Sequence, residues 1–299
     1  VDGQYAEVNQ EVLYRQIYYE AGAFGRYPFS PAQRFEMSAA YNYIQFDNVI
    51  YESAYTLDGW PIYANKKTQL PSPDGLHLAY ASAALVYDTA NYGATAPILG
   101  QSYRFEVSPT FGSLNFTSVT LDFRKYIMPV KPFTLAFRAM HYGRYGKGSN
   151  DSRLWPMFLG YDWYIRGYNY NSFSDDTSNF DINQLFGTRM IVANFELRFP
   201  LFGALKIGKG FYGIFPVDFV AFYDAGVAWG QSYYPDASGA TVNTKPFFAK
   251  GGTQKALTSA GVGLRVNVFG YLVLGFNYVK PLSRPNKDWH IEFSFQPGF

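Results

Sequence analysis

The residues of this 299-residue chain best suited to directed chemistry are one arginine and the carboxylates that follow it. Arg166 stands in Ile165-Arg166-Gly167-Tyr168, beside a flexible glycine and among Tyr161, Trp163, Tyr164 and Tyr170. A guanidinium presents its donors as a planar fork that fits a carboxylate bidentately, and such charge-assisted bonds are the stronger kind. Glu196, in Asn194-Phe195-Glu196-Leu197-Arg198, and Asp224, in Phe222-Tyr223-Asp224-Ala225-Gly226, are the acceptors. The chemistry of this set is a structural lock, not turnover. His77, His141 and His290 are scattered, and no HExxH, GxSxG or glycine-rich phosphate loop appears. Cysteine is absent, which excludes a disulfide framework, a thiolate metal site and a cysteine nucleophile. No catalytic residue, metal or cofactor is expected, and the chain does not read as an enzyme.

The elements that must position these residues are strands. Aromatics make up 20% of the chain and charged residues only 16%, with a net charge of +2, so there is no concentrated basic patch and nucleic acid is excluded as a partner. No run approaches the ~18 apolar residues of a membrane helix. The opening VDGQYAEVNQ is too polar for a signal peptide, and the chain starts on Val1, so a longer parent protein is expected. The dominant signal is period two: Phe133, Leu135, Phe137 and Ala139 face one way, Thr134, Ala136 and Arg138 the other. Eleven segments read this way, at about 12–24, 33–46, 76–89, 101–111, 115–126, 132–143, 187–200, 217–229, 257–268, 271–280 and 289–296.

A soluble sandwich also alternates, but its strands are nearer ~5–6 residues, whereas many here have the ~9–11 that cross a bilayer obliquely. Charges such as Arg34, Glu36, Asp122, Arg138, Glu196, Asp224, Arg265 and Glu292 keep to one face, while Arg15, Lys125 and Arg189 break the pattern near strand ends. Aromatics crowd those ends, as in the interfacial girdles of membrane barrels. The reading is an all-β fold, an antiparallel transmembrane β-barrel over residues 1–299. The very long connections, 47–75 and 144–186, fall in the same alternating set as 230–256, so they are outer loops. This phase puts Phe299 in the periplasm and the start of the first strand outside the cell. A bacterial barrel normally has an even strand count, so at least one further N-terminal strand is expected.

On the face assignment, Asn194, Glu196 and Arg198 point into the lumen, as does Asp224, and Arg166 on the folded-in loop 144–186 would meet them there. The ordered set of Ile165-Arg166-Gly167-Tyr168, Asn194-Phe195-Glu196-Leu197-Arg198-Phe199-Pro200, Phe222-Tyr223-Asp224-Ala225-Gly226 and a final aromatic strand resembles the C-terminal barrel of the bacterial surface antigen superfamily. That family includes BamA-like and TamA-like assembly proteins and two-partner-secretion transporters. The resemblance implies a sixteen-strand barrel of which about five N-terminal strands are absent here. It implies Arg166 and Gly167 as the lumen-loop motif with Ile165 and Tyr168 flanking, Glu196 and Asp224 as its partners, and Gly226 as the strand glycine. It also marks the last strand, with Trp289, Ile291, Phe293, Phe295 and Phe299, as one side of a labile seam. Pro297 departs from the family pattern because it cannot donate to a ladder.

Three functions remain open on the sequence. One is insertion, assembly or translocation of proteins at the bacterial outer membrane, a client strand being templated at the seam. Another is a membrane anchor or export barrel for a fused periplasmic or secreted module. The third is a diffusion pore. Membrane lipid, client outer-membrane proteins or exported polypeptides, and periplasmic or lipoprotein subunits are the partners implied.

Overall fold

The computed structural model describes residues 5–173, 180–233 and 241–295. Phe299, Pro297 and the final residue of the segment expected at 289–296 lie outside them. The strands of five or more residues are β1 (Ala6–Pro28), β2 (Gln33–Thr56), β3 (Pro61–Gln69), β4 (Leu76–Asp88), β5 (Pro97–Gly112), β6 (Phe116–Val130), β7 (Phe133–Tyr145), β8 (Arg189–Pro200), β9 (Val217–Gln231), β10 (Leu257–Val268), β11 (Leu272–Pro281) and β12 (His290–Ser294). Eleven of them form one continuous antiparallel path, β1-β2-β4-β5-β6-β7-β8-β9-β10-β11-β12, with β3 hung on β2. The only α-helix among the described residues is Leu201–Ala204, and no helix is long and apolar enough to cross a membrane.

The alternation in sequence becomes two faces of the wall. Along β8, Met190, Val192, Asn194, Glu196, Arg198 and Pro200 are buried, while Ile191 and Phe195 stand exposed between them. Exposed Phe137, Tyr223, Val262, Phe276, Ile291 and Phe293 continue this outer surface across the neighbouring strands. So much exposed apolar area is stable only against lipid. Arg15, Lys125 and Arg189 are each tied locally: Arg15 lies 3.8 Å from Asp47, Lys125 donates to Gln101 at 2.9 Å, and the Arg189 guanidinium sits 4.8 Å from the centre of the Tyr145 ring.

β1 and β2 extend well beyond the segments expected at 12–24 and 33–46. They pair without a break from Ala6↔Thr56 to Pro28↔Arg34, and part of the stretch expected as the loop 47–75 is a hairpin between β2 and β3. The physical reason is that period-two patterning marks only what lies in the bilayer. Beyond it both faces of a hairpin meet water, so the strands continue while their hydrophobic alternation stops.

Lumen-side charges pair laterally. Arg104 bridges Glu36 and Glu106 at 2.7 and 2.6 Å, and Asp122 takes both Arg124 and Arg138 at 2.9 Å. Two segments close on the lumen from opposite ends. The long connection after β7 packs Leu159, Ile165, Tyr168 and Leu185 onto Met140, Met190, Val192, Ala228 and Leu257, making a hydrophobic core on the lumen side of the wall. From the other end, the turn before β5 and the first residue of that strand reach across: the Ala94 N–H donates to the Tyr212 hydroxyl at 2.6 Å, Thr95 bonds Asp218, and the Pro97 carbonyl accepts from Arg198 at 3.1 Å. Among the described residues, the outer edges of β1 and β12 carry no partner strand.

Candidate functional site

The strand register builds the receiving surface first. Asn194 pairs with Asp224 and Glu196 with Phe222 across β8 and β9, which puts both carboxylates on the same face and a diagonal step apart. Both are fully buried. A pair of buried carboxylates is costly unless cations and donors surround it. Arg198 Nε donates to Glu196 Oε2 at 2.6 Å and Arg265 Nη2 to Glu196 Oε1 at 2.8 Å, while Asn194 Nδ2 donates to Asp224 Oδ1 at 2.9 Å.

Arg166 completes this cluster. Its Nε and Nη2 each donate to Asp224 at 2.7 Å, and its Nη1 donates to Glu196 Oε1 at 2.7 Å. The guanidinium also lies 3.6 Å from the centre of the Phe222 ring, within cation–π range. Phe222, Asp224 and Gly226, two residues apart on one face of β9, thus meet successive features of the loop: a ring under the guanidinium, a carboxylate on its edge, and a gap beside Ile165. A methyl group on Gly226 would come 2.6 Å from Ile165 Cδ1 and 3.0 Å from the Ile191 carbonyl oxygen, so the glycine keeps open the space that Ile165 fills.

Gly167 has φ +87°, where a side chain would be strained, and it lies against Val279 and Pro281. Its N–H donates to Glu292 Oε2 at 2.9 Å, and its carbonyl accepts from Arg284 at 3.1 Å. Tyr168 is fully buried; its hydroxyl donates to the Thr258 carbonyl at 2.8 Å and accepts from the Ser283 N–H at 3.2 Å. Ile165, Arg166, Gly167, Tyr168, Glu196, Asp224 and Gly226 therefore converge in one volume. Trp289, Ile291, Phe293 and Phe295 lie apart from it on the exposed face, with Trp289 just before β12 and stacked 5.0 Å from Tyr278, and Phe295 just after it.

Sequence reasoning gave no partner to Phe222, Arg265, Arg284 or Glu292. For Glu292 a signal was present, since it is the acidic residue between Ile291 and Phe293 on the lumen side of the last strand. Arg284 lies in the connection between β11 and β12, where no periodicity points to a face.

An antiparallel wall with an apolar outer surface, and a long connection held by arginine against its inner face, defines a transmembrane β-barrel. The chain belongs to the Omp85 superfamily, whose domain matches residues 5–299. Among solved structures it is similar to BamA from Haemophilus ducreyi lacking POTRA domains 1-3, with a TM-score of 0.59 and 18% sequence identity over 94% of this chain and 53% of that one. At this identity the likeness is one of fold, and the chain spans about half the length of that protein. No curated protein matches it.

Proposed function

We propose that this chain is the membrane-embedded part of a bacterial outer-membrane machine that inserts, assembles or translocates proteins. The observation that carries the reading is the contrast between a locked interior and a weak edge. The loop is pinned to β8 and β9 through a buried arginine–carboxylate cluster. The terminal strand β12 has only five residues and a single neighbour among the described residues. Unpaired N–H and C=O groups facing lipid are too costly to persist, so such an edge must be satisfied by further strands, and a short ladder there exchanges readily with a client strand. On this reading the eleven-strand path is part of a sixteen-strand barrel, and loop 144–186 keeps the rest of the wall rigid while the seam opens.

Clients would be outer-membrane protein precursors or exported polypeptides, with periplasmic or lipoprotein subunits presenting them. A photo-crosslinking residue at Ile291 of the full-length protein, in cells making a labelled outer-membrane precursor, tests this. Crosslinks to the precursor during its assembly are expected. Crosslinks confined to the protein itself, with precursor assembly unaffected by depletion, would sink the reading in favour of an anchor for a fused module. The pore alternative is addressed by planar-bilayer conductance: a lumen filled by its own loop gives small, erratic steps, whereas large steady steps would favour a pore.

A further inference from the structure

Two consecutive backbone N–H groups of the loop donate to carboxylates on two separate parts of the wall. The Arg166 N–H donates to Asp224 on β9 at 3.2 Å, and the Gly167 N–H donates to Glu292 on β12 at 2.9 Å. Two strands, β10 and β11, lie between those carboxylates in the sheet. Glu292 is 3% exposed, and its other oxygen accepts from Asn169 Nδ2 at 2.9 Å and lies 3.3 Å from His290 Nε2. A carboxylate held out of water needs its lone pairs filled, and here the loop supplies donors to both oxygens. The ladder of β12 runs only from Val279↔His290 to Gly275↔Ser294 on one side, so its lumen-side position is otherwise weakly held.

We propose that Glu292 is a positioning residue through which the seating of the loop dictates where the terminal strand lies. Gly167 is the pivot: its left-handed backbone turns the chain so that the residue before it engages β9 while its own N–H reaches β12. Arg284, between β11 and β12, holds the Gly167 carbonyl and the Ser172 hydroxyl at 3.1 and 2.7 Å, so the connection entering β12 is fastened to the same loop. A loop seated on Asp224 therefore keeps β12 in register with β11, and a loop that lifts releases the strand whose edge a client would use. The purpose of this coupling rests on the assembly or translocation reading; its geometry does not.

The test is hydrogen–deuterium exchange on the full-length protein, comparing β12 amides with those of β8 and β9. Asn169→Asp turns the donor to Glu292 into a carboxylate, in addition to Asp162 nearby, and should raise exchange across residues 290–294 by tenfold or more, leaving β8 and β9 at wild-type rates. Adding Glu292→Gln in the same protein replaces the repulsion with an amide donor to the new aspartate, and should restore most of the protection. Unchanged β12 exchange in Asn169→Asp, no rescue in the double variant, or a parallel rise in β8 and β9 would each overturn the proposal. Should Asn169→Asp fail to fold, Asn169→Ala removes the donor to Glu292 together with the acceptor of the Ser172 N–H and should give a smaller rise across residues 290–294, again without a rise in β8 and β9; no rise there also overturns it. Precursor assembly is scored separately: exchange behaving as expected with assembly unaffected would leave the coupling standing and refute the function.

Discussion

Arg166 and Asp224 share three hydrogen bonds, two from the guanidinium at 2.7 Å and one from the Arg166 backbone N–H at 3.2 Å. The same guanidinium reaches Glu196 at 2.7 Å, so one side chain spans two strands. Removing one partner of a buried pair leaves the other charged and unpaired, which costs about 3–5 kcal/mol. Arg166→Ala and Asp224→Asn should each lower the midpoint of urea unfolding by a corresponding amount. The double variant should lose less than the sum of the two, because both remove the same contact. Additive losses would argue against a direct pair. Arg166→Lys should behave more like Ala than like the native residue, since a single ammonium cannot serve Asp224 bidentately and Glu196 together.

Gly226 tests whether the loop needs the gap on β9. Its absent side chain would meet Ile165 Cδ1 at 2.6 Å and the Ile191 carbonyl oxygen at 3.0 Å. The first neighbour is the end of a flexible side chain and can yield, whereas the second is backbone and cannot. Gly226→Ala should cost about 1–3 kcal/mol by overpacking. Ile165→Val in the same protein should recover part of that loss, read from the unfolding midpoint. No recovery would place the strain in the backbone and not at the loop.

Asp162, on the loop, lines a cavity of about 690 Å³ together with Tyr161, Trp163, Asn169 and Phe186. Burial, reinforced by nearby Glu292 and opposed by Arg166, pushes its carboxyl up to about 6. A raised carboxyl favours the protonated folded form. Seating of the loop is therefore strongest below the ordinary aspartate value of about 3.9, weakens as pH rises from there to about 6, and changes no further above it. Exchange or limited proteolysis of residues 161–170 measured from pH 4 to 8 should show that loss, and Asp162→Asn should flatten it.

Arg198 joins the loop's anchor to the opposite end of the lumen, donating to Glu196 Oε2 at 2.6 Å and to the Pro97 carbonyl at 3.1 Å. A hydrogen bond to a charged group contributes about 1.5–3 kcal/mol. Arg198→Met should speed exchange of the amides of residues 93–96 roughly tenfold or more by that measure. Unchanged exchange there would mean that Thr95 with Asp218 and Ala94 with Tyr212 hold the turn without it.

The sequence by itself determined the wall. Alternation in β4 through β11 marks the bilayer-spanning residues because lipid on one side and a partly polar lumen on the other impose a period of two. It determined the faces of Asn194, Glu196 and Asp224 for the same reason: once a strand is fixed, every second residue shares its side. It gave no sign that β1 and β2 continue far past the membrane, since water on both faces leaves no pattern. It also gave no sign of the apolar lumen-side core around Leu159, Tyr168 and Met190, because a buried loop and a lipid-facing strand use the same side chains. The order of Arg166, Glu196 and Asp224 along the chain was legible, but which atoms meet was not. That Gly167 turns from β9 toward Glu292 on β12 depends on a left-handed backbone and on the curvature that brings those strands round one loop. Distances between strands are set by how the whole sheet bends, and no local run of residues records that.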